Sequence, residues 1–133
     1  MNAQLAHKQR LLRRVRRAVI KIGSSILSGP KGIDRQRLRA LSEDICGLHD
    51  QGIAVVVVSS GAVAAGMARL GMKVRPKTVP QRQAAAAVGQ IELMALYEEY
   101  FAPFSKQVAQ ILLTHDDLAD RNRYLNARHT IET

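Results

Sequence analysis

Ile53-Ala54-Val55-Val56-Val57-Val58-Ser59-Ser60-Gly61-Ala62-Val63-Ala64-Ala65-Gly66 is the stretch whose reading decides the fold. Its first six residues are apolar, and four of them are consecutive valines. Strand side chains alternate between two faces, so a run that is apolar at both parities is expected to be buried on both sides. That is the environment at the centre of a parallel sheet. Ser59-Ser60-Gly61 ends the run with small residues. The Ala-rich residues 62–70 then read as a helix closed by Gly71. The passage is a strand, a tight turn and a helix.

Working outward, Ala18-Val19-Ile20-Lys21-Ile22 is a β-branched run stopped by Gly23, and reads as an earlier strand. Residues 24–32 are rich in Gly, Ser and Pro and are expected to form a loop. Asp34 is placed to cap the next helix, along which Leu38, Leu41, Ile45 and Leu48 recur at three- and four-residue spacing. Gly52 terminates it. Downstream, residues 75–80 read as a loop. Residues 81–100 are the longest helical candidate, with Val88, Ile91 and Leu96 on its apolar face and Pro103 as its stop. Residues 108–113 are expected to be a third strand and residues 116–133 a polar helix. No internal repeat is present. The alternation implies an α/β fold, a doubly wound, mainly parallel sheet with helices on both faces. Ligands of such sheets bind at the C-terminal ends of the strands.

Composition narrows the function classes. Hydrophobic residues are 47% and charged residues 23% of the 133, a globular balance that excludes wholesale disorder. With no Trp, three Tyr and two Phe, the core is aliphatic. The same scarcity argues against a base-stacking platform for single-stranded nucleic acid. The lone Cys46 rules out an internal disulfide and points to a reducing, cytoplasmic setting. The net charge of +9 is uneven: eleven of the twenty Lys and Arg residues precede position 41, where Asp34 is the one acid. Basicity therefore belongs to an N-terminal arm (Lys8, Arg10, Arg13, Arg14, Arg16, Arg17). We read residues 1–16 as a solvated basic extension and not as a nucleic-acid interface. The arm is followed by only three apolar residues before Lys21, too few for a signal peptide. The uncharged run over residues 52–68 falls just short of spanning length, and Ser59-Ser60-Gly61 interrupts it, so no membrane partner is expected.

The strand ends carry the chemistry. Lys21 lies two residues before Gly23-Ser24-Ser25, and Ser59-Ser60-Gly61 opens directly into a helix. Small residues let backbone N–H groups approach a ligand, and a helix N-terminus adds partial positive charge. Together these features suit an anion, most plausibly a phosphorylated one. Neither G-x-x-x-x-G-K-[ST] nor G-x-G-x-x-G occurs. His7, His49, His115 and His129 lack metal spacing, and no metal site is expected. Cys46 falls on an apolar helix face and reads as core. Asp116, Asp117 and Asp120 cluster either to bind a cation or to cap a helix.

Residues 19–25 and 57–66, with Ala86-Ala87-Val88-Gly89-Gln90, Leu112-Leu113-Thr114 and Tyr124-Leu125-Asn126-Ala127-Arg128, strongly resemble the amino acid kinase family. Within it they are similar to the branch that phosphorylates glutamate. The likeness runs from about Arg17 to Thr133, with four linked motifs in order, residues 112–114 and 124–128 belonging to the last. It implies transfer of the γ-phosphoryl group of ATP to the side-chain carboxylate of L-glutamate, the first step of proline biosynthesis, with Mg2+ as cofactor. Lys21 would be the catalytic charge stabiliser and would contact the ATP phosphates. Gly23, Ser24 and Ser25 would form the phosphate-facing turn, and Ser60, Gly61 and Ala62 would hold glutamate. Asp117 and Asn126 fall in a segment the family associates with substrate and with proline feedback. His115 stands where these kinases often carry Arg.

Family kinase domains are roughly twice this length, at the upper side of the usual domain range. The resemblance therefore covers residues 17–133 as the N-terminal part of such a domain. It implies a chain that is inactive alone and incompletely folded, with an unpaired strand edge, and a homo-oligomer when full length. Alternatives from the same residues are the kinase portion of a bifunctional pyrroline-carboxylate synthase, a non-catalytic amino-acid sensor and a nucleic-acid binding module.

Overall fold

The computed structural model describes residues 14–29 and 32–133. Of the basic extension expected over residues 1–16, residues 1–13 lie outside the described ones. In chain order the elements are β1 (Arg17–Ile22), the single helical turn α1 (Ser24–Leu27), β2 (Ser28–Gly29), β3 (Gly32–Ile33), α2 (Arg35–Asp50), β4 (Ala54–Ser59), α3 (Ala62–Arg69) and α4 (Val79–Phe101). A 3-10 turn (Ala102–Phe104) follows, then α5 (His115–Ala119) and α6 (Arg121–Glu132).

β1 and β4 pair in parallel, from Arg17 beside Ala54 to Ile22 beside Ser59. The chain crosses between them through α1, the hairpin and α2, as parallel pairing requires. Ile20, Ile22, Val55 and Val57 share one face of this ladder. They pack with Leu38, Ile45 and Cys46 of α2 and with Leu93, Leu96, Tyr97 and Phe101 of α4. The opposite row is open, with Val19 65% and Val58 47% exposed. The double-sided burial expected of β4 is therefore not found: among the described residues the apolar core lies on one face.

Each helix end has a local cause. Asp34 caps α2 by accepting the Arg37 N–H at 3.0 Å. At the other end Gly52 takes a φ of +79°. Its N–H reaches the His49 carbonyl while the Ile53 N–H reaches that of Leu48, the paired bonds of a Schellman ending. Gly71 ends α3 the same way, through bonds from Gly71 to Ala68 and from Met72 to Met67. Inside α2, the fully buried Ser42 hydroxyl is satisfied by the Leu38 carbonyl at 2.9 Å.

Three expectations need correction. Residues 24–32 are more than a loop: they include α1 and the antiparallel β2–β3 pair. α4 starts at Val79, because Thr78 caps it and Pro80 sits in the first turn, where a missing N–H costs nothing. Its buried stripe is Ala85, Gly89, Leu93, Leu96, Tyr97 and Phe101, which leaves Ile91 off the stripe and 70% exposed. Residues 108–113 form no strand, and Leu112 is 73% exposed. β propensity reports a preference for extended backbone, whereas a strand needs a hydrogen-bonded neighbour. None of the described residues supplies one.

α3 and α4 meet backbone to backbone. A Cβ on Gly66 would overlap the Ala85 carbonyl, and one on Gly89 would overlap the Ala62 carbonyl and the Gly66 nitrogen. Gly89→Ala is therefore expected to lower stability by about 1–3 kcal/mol, the usual cost of overpacking. Gly47→Ala should do the reverse. It lies mid-helix with nothing within 4 Å of an added Cβ, so a gain of about 0.5–1 kcal/mol is expected. Urea midpoints of the two variants check both signs, and a neutral Gly89→Ala would refute the close crossing.

Candidate functional site

The register of the parallel ladder decides where the candidate residues meet. Because Ile22 lies opposite Ser59, the turns that follow, Gly23-Ser24-Ser25 and Ser60-Gly61-Ala62, leave the same edge side by side. Ser60 ties them together: its N–H at 3.3 Å and its hydroxyl at 3.2 Å both donate to the Ile22 carbonyl. Gly61 is buried, and an added Cβ would come within 3.0 Å of Leu27 and 3.3 Å of Leu93. A larger residue would push the Leu27 and Leu93 side chains back by a few tenths of an ångström, so glycine lets α1 and α4 close tightly on the turn. α3 starts immediately after it, and its first backbone bond runs from the Ala65 N–H to the Gly61 carbonyl. The N–H groups of the first turn have no partner inside the helix and carry its positive dipole end. Lys21, in register with Val58 on the open row, is exposed.

A cleft of about 720 Å³ adjoins this edge, between the β2–β3 hairpin and α3. Ser24 and Ser28 contribute hydroxyls, Val63 and Met67 an apolar wall, and Lys73 and Arg75 two cations. The hairpin rests directly on α3: Gly32, at φ +111°, would bring a Cβ within 2.8 Å of the Ala68 side chain. Sequence reasoning missed Lys73 and Arg75, which fell in a stretch read only as a connection. A signal was available. Residues 51–91 contain Arg69, Lys73, Arg75, Lys77 and Arg82 and no Asp or Glu. None of the five makes an ion pair with a described residue.

Asp117 and Asn126 are placed elsewhere. They line a smaller hollow of about 310 Å³ with Leu112, Leu113 and Arg123, which shares no lining residue with the cleft at the strand ends. Asp117 accepts the Thr114 N–H at 2.8 Å and the Thr114 hydroxyl at 2.6 Å, and its own N–H donates to that hydroxyl at 3.3 Å. This is a capping box at the start of α5. The Thr114 hydroxyl, then its N–H and the Arg123 guanidinium, hold the Asp117 carboxyl below its ordinary value. Asp120 caps α6 through the Asn122 and Arg123 N–H groups. Two of the three clustered aspartates therefore act as caps. Among the described residues no group of His, Cys, Asp and Glu is arranged to hold a metal ion, and no helix is long and apolar enough to cross a membrane.

Residues 16–133 match the amino acid kinase family. The chain belongs to that family. It is 54% identical over 127 residues to a glutamate 5-kinase of Citrifermentans bemidjiense, covering 95% of this chain and 34% of the relative. A glutamate 5-kinase of Teredinibacter turnerae is matched to the same extent. One of Thermus thermophilus is 52% identical over 116 residues, covering 87% of this chain and 31% of the relative. The chain thus spans about a third of the length of the curated relatives it matches.

Within this amino acid kinase chain, Lys21, Gly23, Ser24, Ser25, Ser60, Gly61 and Ala62 stand at one sheet edge, and Asp117 and Asn126 stand apart. Cys46, 1% exposed, is core, and burial pushes its thiol up. The Asp117 cap carries a pH signature. Its folded carboxyl titrates below the unfolded one, so its stabilisation of α5 is present above the unfolded value of about 4 and is lost as pH falls through the folded value. The Thr114 amide resonance should titrate with a midpoint below about 4 and lose that step in Asp117→Asn. A midpoint at or above the unfolded value would refute the capping box.

Proposed function

We propose that this chain carries part of the active site of an ATP-dependent kinase that phosphorylates the side-chain carboxylate of L-glutamate, giving glutamyl 5-phosphate for proline biosynthesis. One observation carries the reading: two Gly/Ser turns at adjacent strand ends, joined through Ser60 and the Ile22 carbonyl, with Lys21 beside them. Similarity to three glutamate 5-kinases across most of the chain supports the choice of substrate.

The chemistry needs what these turns offer. A glutamate carboxylate, with a reference pKa of about 4.3, is already ionised near neutrality, so the nucleophile needs no general base. The obstacle is two anions brought together. Lys21 neutralises charge on the transferring phosphoryl group, the Gly23-Ser24-Ser25 amides hold the phosphates, and the first turn of α3 at Ser60-Gly61-Ala62 receives the acceptor carboxylate. The substrate is ATP with Mg2+ on its phosphates. The strand-end turns offer hydroxyls and amides and no carboxylate, so they do not themselves build a Mg2+ cage. Lys73 and Arg75 raise the positive potential over the approach to the cleft. Asp117 and Asn126 are assigned to the second hollow, where proline would act as a feedback ligand.

Two tests follow from this assignment. A chimera in which residues 17–133 replace the matching third of the Thermus thermophilus glutamate 5-kinase should form hydroxamate from glutamate, MgATP and hydroxylamine. Lys21→Ala in that chimera should reduce the rate by roughly 10²–10³, the usual loss for one charge-stabilising group. A folded chimera without product, or one indifferent to Lys21→Ala, would sink the assignment. The chain alone is expected to give no hydroxamate, because the open row at Val19 and Val58 and the exposed residues 111–113 leave the sheet uncovered. Turnover by the chain alone would overturn that expectation and leave the kinase reading intact.

A further inference from the structure

An acceptor such as glutamate has two anionic ends. Its carboxylate carbons are four single bonds apart, about 5 Å when extended, with apolar methylenes between them. Placing one end at the Ser60-Gly61-Ala62 turn leaves the other unassigned. The cleft between the β2–β3 hairpin and α3 repeats the same order of chemistry along its length. Val63 and Ala64, in the first turn of α3, line it beside Ser24. Met67, one helical turn on, continues an apolar wall, and Lys73 and Arg75 lie beyond the end of the helix.

The two cations are carried on a segment fixed at both ends. Gly71, at φ +64°, closes α3, and the Met72 N–H bonds back to the Met67 carbonyl at 2.9 Å. On the other side Pro76 is buried. Lys73 and Arg75 themselves are exposed, with no ion-pair partner among the described residues. No carboxylate of a described residue lines the cleft to compete for them. The lengths also agree. The eight residues of α3 rise about 12 Å. An acceptor about 5 Å long leaves roughly 7 Å of that span, the scale of an extended lysine or arginine side chain. A polyphosphate fits this order less well, because it would set a charge against the Val63 and Met67 wall.

We propose that Lys73 and Arg75 are specificity-determining residues that hold the second carboxylate of the acceptor, the α-carboxylate of glutamate, while its reacting carboxylate sits at Ser60-Gly61-Ala62. The proposal rests on the acceptor reading of that turn and adds what the far end of the ligand meets. The guanidinium offers a bidentate fork and the ammonium a point charge. An acceptor without a second carboxylate gains nothing from either.

The test follows amide NMR shifts of the isotopically labelled full chain titrated with L-glutamate and with 4-aminobutyrate, which keeps the reacting carboxylate and the amine but lacks the α-carboxylate. The unmodified chain should bind glutamate about tenfold or more tightly than 4-aminobutyrate. Lys73→Ala and Arg75→Ala should each weaken glutamate about three- to tenfold and leave 4-aminobutyrate unchanged, and the double variant should lose the preference. Lys73→Arg, which keeps the charge, should retain most of the affinity. Equal losses for both ligands would mean a diffuse field and no contact, and the proposal fails. Unchanged glutamate affinity in the double variant defeats it equally. The Ser60, Gly61 and Ala62 amides report the acceptor reading separately. If glutamate leaves them unmoved, that reading falls and this inference with it. If they move with both ligands while the preference ignores Lys73 and Arg75, the inference falls alone.

Discussion

Six residues of β1 run beside six of β4 in parallel register, and the rest of the structure depends on where that ladder stops. Because the strands end together, the backbone that leaves them does so at one edge, and two short polar turns become neighbours. The Ser60 N–H and hydroxyl then converge on the Ile22 carbonyl. A carbonyl has two lone pairs and accepts both. A slip of one residue would turn every β4 side chain to the other face and part the turns. It would move Val55 and Val57 out of the core and break the double bond to Ile22 in the same step. The apolar contacts that stabilise the sheet therefore also set the geometry of the candidate site.

The glycines extend that constraint into the helices. Gly66 and Gly89 each stand where backbone atoms of the facing helix occupy the space of a Cβ, and Gly61 sits in tight contact with the Leu27 and Leu93 side chains. Their common effect is to press α3 against α4 and both against the end of β4. Anion-binding turns are often read as glycine-rich so that a ligand can come close. Here Gly66 makes room for the protein's own backbone and Gly61 for its core side chains, and the ligand-facing role falls to the free N–H groups at the start of α3. Rigidity at this crossing is what a positioning site requires, since catalysis by charge neutralisation tolerates little misplacement.

Electrostatics completes the arrangement. The segment from residue 51 to residue 91 supplies the second strand-end turn, α3 and the Lys73 and Arg75 edge of the cleft without a single acid. Elsewhere several basic side chains are offset by carboxylates: Arg37 by Asp34, Arg39 by Glu43, Lys106 by Asp50, Arg128 by Glu132. The positive potential is therefore concentrated where the proposed phosphate and carboxylate would enter. The chain's basicity lies in its surroundings as well as in the N-terminal arm.

Local signals were legible in residue order alone. Asp34 and Gly52 bound α2, Gly71 ends α3, the valine run is extended, and the parallel α/β class follows from their alternation. Each depends on neighbours within a few positions: a cap reaches three residues along, and a left-handed ending needs one glycine. The pairing of the two strand-end turns was inferred from topology, but the bond that joins them, Ser60 to Ile22, spans 38 positions and appears only in the folded chain. Residues 108–113 mark the boundary most clearly. Their propensity for extended backbone is intrinsic, but a strand exists only against a partner, and no periodicity encodes whether one is present. Gly66 against Ala85, Ile91 turned outward and Lys73 with Arg75 over the cleft belong to the same class. They are contacts between elements, decided when helices settle against one another, and the sequence alone determined only which faces were able to meet.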